Sequence, residues 1–144
     1  MPPMLLSDIP DRFWHVPYDA TRYPGAPGVD SIAAGANCQL FAYELLRAFG
    51  RELPPLRSSD LWADTQHTER VSDDFEPLDL LLFGPTADPF GAHIAVSLGD
   101  ERAIHLSQRI GTPAVWSIAR FRDEADYAVL IGAKRVIRTA HNES

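Results

Sequence analysis

After residue 77 the chain lays down five runs of strand character: LDLLLF (78–83), HIAVSL (93–98), AIHLS (103–107), AVWSI (114–118) and YAVLIGAKRVI (127–137). They are joined by GPTADPFG, GDER, GTP and a charged RFRDEAD segment. Connections of that length leave no space for helical crossovers, so neighbouring strands are expected to run antiparallel. Upstream the pattern is different. From Cys38 the apolar residues Cys38, Phe41, Ala42, Leu45, Leu46 and Phe49 follow the i, i+3, i+4, i+7, i+8, i+11 series of one helical face, with Asn37 as a good N-cap and Gly50 as a good residue past the C-terminus. A second, shorter helix is expected from Ser58 or Ser59 through SDLWADTQH. Helices first and strands afterwards predict an α+β domain, with helices packed on an antiparallel sheet of about five strands.

A chain of 144 residues can remove roughly 70% of its unfolded surface from water, enough for one core without staples. The first 36 residues carry six prolines and read as an irregular arm, in which Phe13, Trp14, Tyr18 and Tyr23 are the aromatic residues available to pack. The expected organisation is an arm over 1–36, a domain over 37–138 and a fraying tail over 139–144. Thirteen Lys and Arg against 20 Asp and Glu leave a net charge of −7 without a basic run, which argues against a nucleic-acid partner. No apolar run reaches the length of a membrane span, so no membrane partner is expected. The start, MPPMLLSDIPDRFWH, lacks a basic n-region and does not read as a signal peptide, so a cytoplasmic location is expected, with signal-independent export open.

With one cysteine no intramolecular disulfide can form, and Cys38 is a packing residue, a metal ligand or a reactive thiol. At the first turn of a helix, unpaired N–H groups and the helix dipole favour its thiolate. Strand alternation in HIAVSLGDERAIHLS places His93, Ala95 and Ser97 on one face, and Ala103, His105 and Ser107 on one face of the partner strand. A three-residue loop over 99–101 pairs 98 with 102 and 95 with 105, which puts His93 and His105 on the same face as diagonal neighbours. A two-residue turn would separate them. The other residues of that face are small, and the N-terminal end of the Cys38 helix is expected to approach it. A cysteine activated by a histidine whose far nitrogen is held by a third group is the arrangement for acyl transfer through a thioester. Cys38 is then the nucleophile, His93 the base, His105 the residue that orients it, and the backbone N–H of Cys38 faces the oxyanion.

The segments NCQLFAYELL, LDLLLFG and HIAVSLGDERAIHLS resemble the NlpC/P60 family of papain-like cysteine peptidases, whose pattern runs (D/N)C with an apolar helix, GDLLFF, then HVGIYLG and an IHAS-like strand. The resemblance covers roughly residues 36–135. The order Cys, His, His agrees, and the two histidines are 105 − 93 = 12 residues apart, as in members with histidine as third residue. The resemblance implies a papain-like α+β core and hydrolysis of an amide bond in a bacterial cell-wall peptide, commonly at a γ-D-glutamyl linkage, with a peptide or muropeptide as partner and no cofactor. It also implies a tyrosine near the oxyanion, for which Tyr23 is the first choice and Tyr18 the second. Three features depart from the pattern. Gln39 and Leu40 replace the usual Ser and Gly after the cysteine, Leu78 replaces the Gly of GDLL, and no wall-binding module accompanies the domain. Hydrolysis or acyl transfer at Cys38 is therefore weighed against two other readings: a non-catalytic binding domain of the same fold, and a zinc site built from Cys38, His93 and His105.

Overall fold

The computed structural model describes residues 2–29 and 31–137, so the expected 139–144 tail lies outside the described residues. Helix α1 spans Cys38–Ala48 and α2 spans Ser58–Ala63. Six strands follow: β1 (Thr68–Val71), β2 (Leu80–Gly84), β3 (His93–Gly99), β4 (Arg102–His105), β5 (Ala114–Ser117) and, after helix α3 (Ile118–Arg122), β6 (Val129–Val136). They form a single sheet in the order β1-β6-β2-β3-β4-β5, every neighbouring pair antiparallel. The α+β class and the antiparallel sheet hold.

Two elements lie outside the expected set. β1 comes from TERV, a polar stretch with one buried residue, because it is an edge strand that pairs only with β6 and shows solvent most of its side chains. α3 comes from the start of what read as a charged connection. Ser117 caps it by accepting from the Arg120 N–H at 3.1 Å, and Phe121 is its buried anchor.

Alternation along the strands sorts the sheet into two faces. Leu80, Leu82, Ile94, Val96, Leu98, Ile104 and Leu106 face α1 and the N-terminal arm. Leu81, Phe83, Ala95, Ala103, Trp116 and Ala133 face α3 through Phe121. The small-residue face that carries the histidines is therefore closed by aromatic rings, whereas α1 packs on the aliphatic face. This reverses the expected approach of the Cys38 helix, and volume explains it: the long face of α1, with Leu45 and Leu46 fully buried, finds its apolar partners on the branched side chains of β2, β3 and β4. The arm belongs to the same core, where Ile9, Phe13, Val16, Ile32 and Ala36 are buried against α1.

The β3–β4 hairpin also differs from expectation. Its turn has two residues, Asp100 and Glu101, both at positive φ (55° and 56°), which is the turn that matches strand twist. That turn alone would have split the histidines. A bulge between Ser97 and Gly99 absorbs one residue, so Val96 pairs with Ile104 and Ser97 with Ala103, the register of a three-residue loop. The histidines keep a common face.

Candidate active site

Three segments converge where β3 begins. The first is the N-terminus of α1, where the Asn37 side chain accepts from the Leu40 N–H at 2.8 Å and leaves Cys38 as the first helical residue. The second is the arm. The Tyr18 N–H donates to the Gly111 carbonyl at 2.9 Å, while on either side the Ala36 N–H donates to the Pro17 carbonyl (3.1 Å) and the Asp19 N–H to the Ala36 carbonyl (2.9 Å). Gly35 permits this close approach: its φ is +139°, and a Cβ there would lie 2.9 Å from Cβ of Asp19. The third is the hairpin, which supplies His93 at the start of β3 and His105 at the end of β4.

His93 Nε2 and His105 Nδ1 are 2.9 Å apart. With Nε2 occupied in this way, Nδ1 is the His93 nitrogen left for a reactant. Cys38 and His93, both half-buried, line one cleft of about 510 Å³ together with Tyr18, Gly91, Ala92, Ser107, Gln108, Arg109, Asp126 and Tyr127. The thiol reaches it from the α1 side and is hydrogen-bonded to the backbone N–H of Ile94, the residue after His93. His105 lies behind His93, 1% exposed, against Trp116 and Phe121.

Tyr18 lines this cleft and Tyr23 does not. The Tyr23 ring sits under the Arg57 guanidinium, 4.8 Å from its carbon to the ring centroid, so of the two tyrosines expected near the oxyanion it is Tyr18 that the fold brings to this cleft. The parallel bridge between Tyr18 and Ala36, two residues before Cys38, decides which tyrosine arrives. Tyr127 is a cleft residue that sequence reasoning missed. Its ring stacks on His93 at 4.4 Å and 19°, and its hydroxyl is hydrogen-bonded to Ser107. In the sequence it merely opens an apolar run, and nothing local marks it.

Electrostatics correct one expectation. Burial pushes the Cys38 thiol up, with the N–H groups of Ile94, Gln39 and Cys38 itself opposing the effect only in part. Burial, and secondarily the neighbouring His105, hold His93 down to about 3; burial and the Arg120 charge hold His105 down to about 4. Burial thus favours the neutral forms of the thiol and of both imidazoles. The helix dipole and the amides ease deprotonation, while desolvation acts against the expected thiolate. The geometry also weighs against the zinc reading: the two histidines spend facing nitrogens on each other, and among the described residues no group of three or more His, Cys, Asp or Glu is placed to hold a metal ion.

No protein-family model and no curated protein matches the chain. Solved structures do. An NlpC/P60 family protein from Bacillus cereus superposes with a TM-score of 0.63 at 18% identity, over 95% of this chain and 42% of that one. The NlpC/p60 domain of the peptidoglycan hydrolase SagA superposes with a TM-score of 0.54 at 22% identity, over 88% of this chain and 91% of that one. The fold is that of NlpC/P60 proteins. The chain spans less than half the length of the Bacillus cereus protein.

Within the NlpC/P60 fold, two of the departures acquire physical accounts. Gln39 turns away from the cleft: its side-chain amide donates to the Tyr43 hydroxyl (2.8 Å) and to the Leu56 carbonyl, which also accepts from Tyr43 at 2.8 Å, and this ties α1 to the segment before α2. Leu78 adopts φ +76°, a backbone conformation that glycine takes freely and leucine does not. Its side chain is buried in the core beneath α1, so apolar burial offsets the strain.

Proposed function

We propose that the protein is a cysteine hydrolase that cleaves an amide bond in a peptidoglycan peptide, at a γ-D-glutamyl linkage. The observation that carries this reading is the 2.9 Å contact between His93 Nε2 and His105 Nδ1, which leaves Nδ1 as the His93 nitrogen not engaged by His105, in a residue that lines the same cleft as Cys38. The fold shared with a peptidoglycan hydrolase domain supports the substrate class.

In this mechanism Cys38 Sγ attacks the carbonyl carbon while its proton moves to His93 Nδ1, so that sulfur and imidazole become charged together and each offsets the desolvation of the other. The oxyanion faces the backbone N–H of Cys38 and the Tyr18 hydroxyl side of the cleft. Collapse breaks the C–N bond, and the leaving amine takes the proton from His93. A thioester remains on Cys38. Water then gives a proton to His93 and its hydroxyl to the carbonyl carbon; the C–S bond breaks, sulfur takes the proton back from His93, and the carboxylic acid leaves and ionises in solvent. His105 keeps the His93 ring oriented throughout.

Purified protein incubated with defined muropeptides, product masses being followed, tests this. Cleavage that disappears in Cys38→Ala and in His93→Ala supports the proposal. No cleavage of any γ-D-glutamyl peptide, or cleavage that persists in Cys38→Ala, overturns it. Because burial raises the thiol, iodoacetamide labelling of the free enzyme is expected to climb only above the ordinary cysteine value of about 8.5.

A further inference from the structure

We propose that Trp116 and Phe121 are positioning residues that select the tautomer of the His93–His105 pair and thereby keep His93 Nδ1 unprotonated in the resting site. The inference deepens the proposed function and rests on its assignment of His93 as the base.

One proton lies between His93 Nε2 and His105 Nδ1 at 2.9 Å, and it has two homes. Carried by His93 Nε2, it leaves Nδ1 with a lone pair, able to take the thiol proton, and makes His105 protonated on Nε2. Carried by His105 Nδ1, it forces the second hydrogen of the pair onto His93 Nδ1, where no base remains.

The far side of His105 distinguishes them. Its Nε2 is buried and has no hydrogen-bond partner among the described residues. The imidazole is packed among aromatic rings: the Trp116 ring centroid lies 4.4 Å and the Phe121 centroid 4.5 Å from that of His105, each inclined at 62°. Aromatic faces carry negative charge. An N–H directed at them is attracted, whereas a lone pair is repelled and has no donor to satisfy it. Proton on Nε2 of His105 means proton on Nε2 of His93, the arrangement with a free base. The walls come from outside the histidine strands: Trp116 stands opposite Ala103 on β5, two residues before His105 in the paired strand, and Phe121 comes from α3. Arg120, whose guanidinium lies 4.3 Å over the Trp116 ring, also disfavours a doubly protonated His105, the form that would place a proton on Nδ1.

Long-range 1H–15N correlation spectra of the ligand-free protein at neutral pH report the tautomers directly and need no substrate. Wild-type protein is expected to show both histidines protonated on Nε2; His93 protonated on Nδ1 overturns the inference before any variant is made. Trp116→Leu, which removes one aromatic face, is expected to raise the share of Nδ1-protonated His93 roughly fivefold, the size of one weak N–H···π contact. Trp116→Phe, which keeps a face, is expected to restore the wild-type ratio. A folded Trp116→Leu with unchanged tautomer populations overturns the proposal, and Phe121→Leu gives the same reading should Trp116→Leu not fold. The expected tautomers in a protein that cleaves no muropeptide would overturn the hydrolase reading and leave this one standing.

Discussion

The two faces of one sheet do different work with alternate residues of the same strands. Ile94, Val96 and Ile104 point to α1 and the arm and bury branched aliphatic volume, while Ala95, Ala103 and the two histidines point the other way and are walled by Trp116, Phe121 and Tyr127. The first face is apolar and redundant, with many side chains contributing to one core. The second gives up aliphatic volume for two imidazoles that share a single hydrogen bond. Stability and the proposed chemistry are thus separated by the thickness of a strand, and Cys38, reaching the start of β3 from the aliphatic side, is where they meet.

The sharpest way to break that separation is a double dissociation. Cys38→Ala removes only the half-buried thiol and is expected to abolish amide cleavage, by at least ~10³-fold, with the urea midpoint nearly unchanged. Leu46→Ala, at a fully buried position under α1, is expected to cost about 2–5 kcal/mol in equilibrium denaturation while the remaining folded fraction keeps its turnover. A Cys38→Ala protein that unfolds as readily as Leu46→Ala would show that the faces are not separable.

Acid sharpens the comparison because only the second face titrates. His93 and His105 are held down to about 3 and about 4, against 6.5 in the unfolded chain, so the unfolded state binds more protons as pH falls below 6.5. Their contribution is complete above pH 6.5 and is lost on acidification, by up to about 1.4 kcal/mol per pH unit for each histidine. Urea midpoints measured between pH 6.5 and 5, above the carboxylate range, are expected to fall, and to fall less steeply in His93→Gln. A midpoint flat across that window would mean that the imidazoles are not buried as neutral rings.

The same contrast explains what could be read from the sequence. The aliphatic face and α1 were legible because periods of 3.6 and 2 are local, and Asn37 and Gly50 mark the helix ends by themselves. The pairing of His93 with His105 was legible as a register, yet for an incomplete reason: the two-residue turn and its compensating bulge cancel, and nothing in GDER declares both. Tyr127, Trp116 and Phe121 could not be assigned, because their roles depend on α3 folding back over the sheet, a non-local event that a charged RFRDEAD segment does not advertise. Residues 118 and 121, apolar at i and i+3 behind the capping Ser117, were the available signal. The choice between Tyr18 and Tyr23 lay in a backbone bridge to Ala36, which side-chain patterns do not encode.

Leu78 offers the smallest and most discriminating test, because at this position the aliphatic face is bought with backbone strain. At φ +76° a leucine carries a penalty of roughly 1–2 kcal/mol relative to glycine, while its buried side chain, 6% exposed, returns about 1.5–3 kcal/mol. Leu78→Ala loses the burial and keeps the strain. Leu78→Gly loses the burial, relieves the strain, and gives back ~0.5–1 kcal/mol to the freer unfolded chain. Both variants are therefore expected to be less stable than the parent, with glycine the better of the two by about 0.5–1 kcal/mol, the opposite of the order found where φ is negative. Paired urea titrations resolve that difference. If alanine proves the more stable replacement, the backbone at 78 is not held in the left-handed region, and the leucine at this turn stands without a conformational cost.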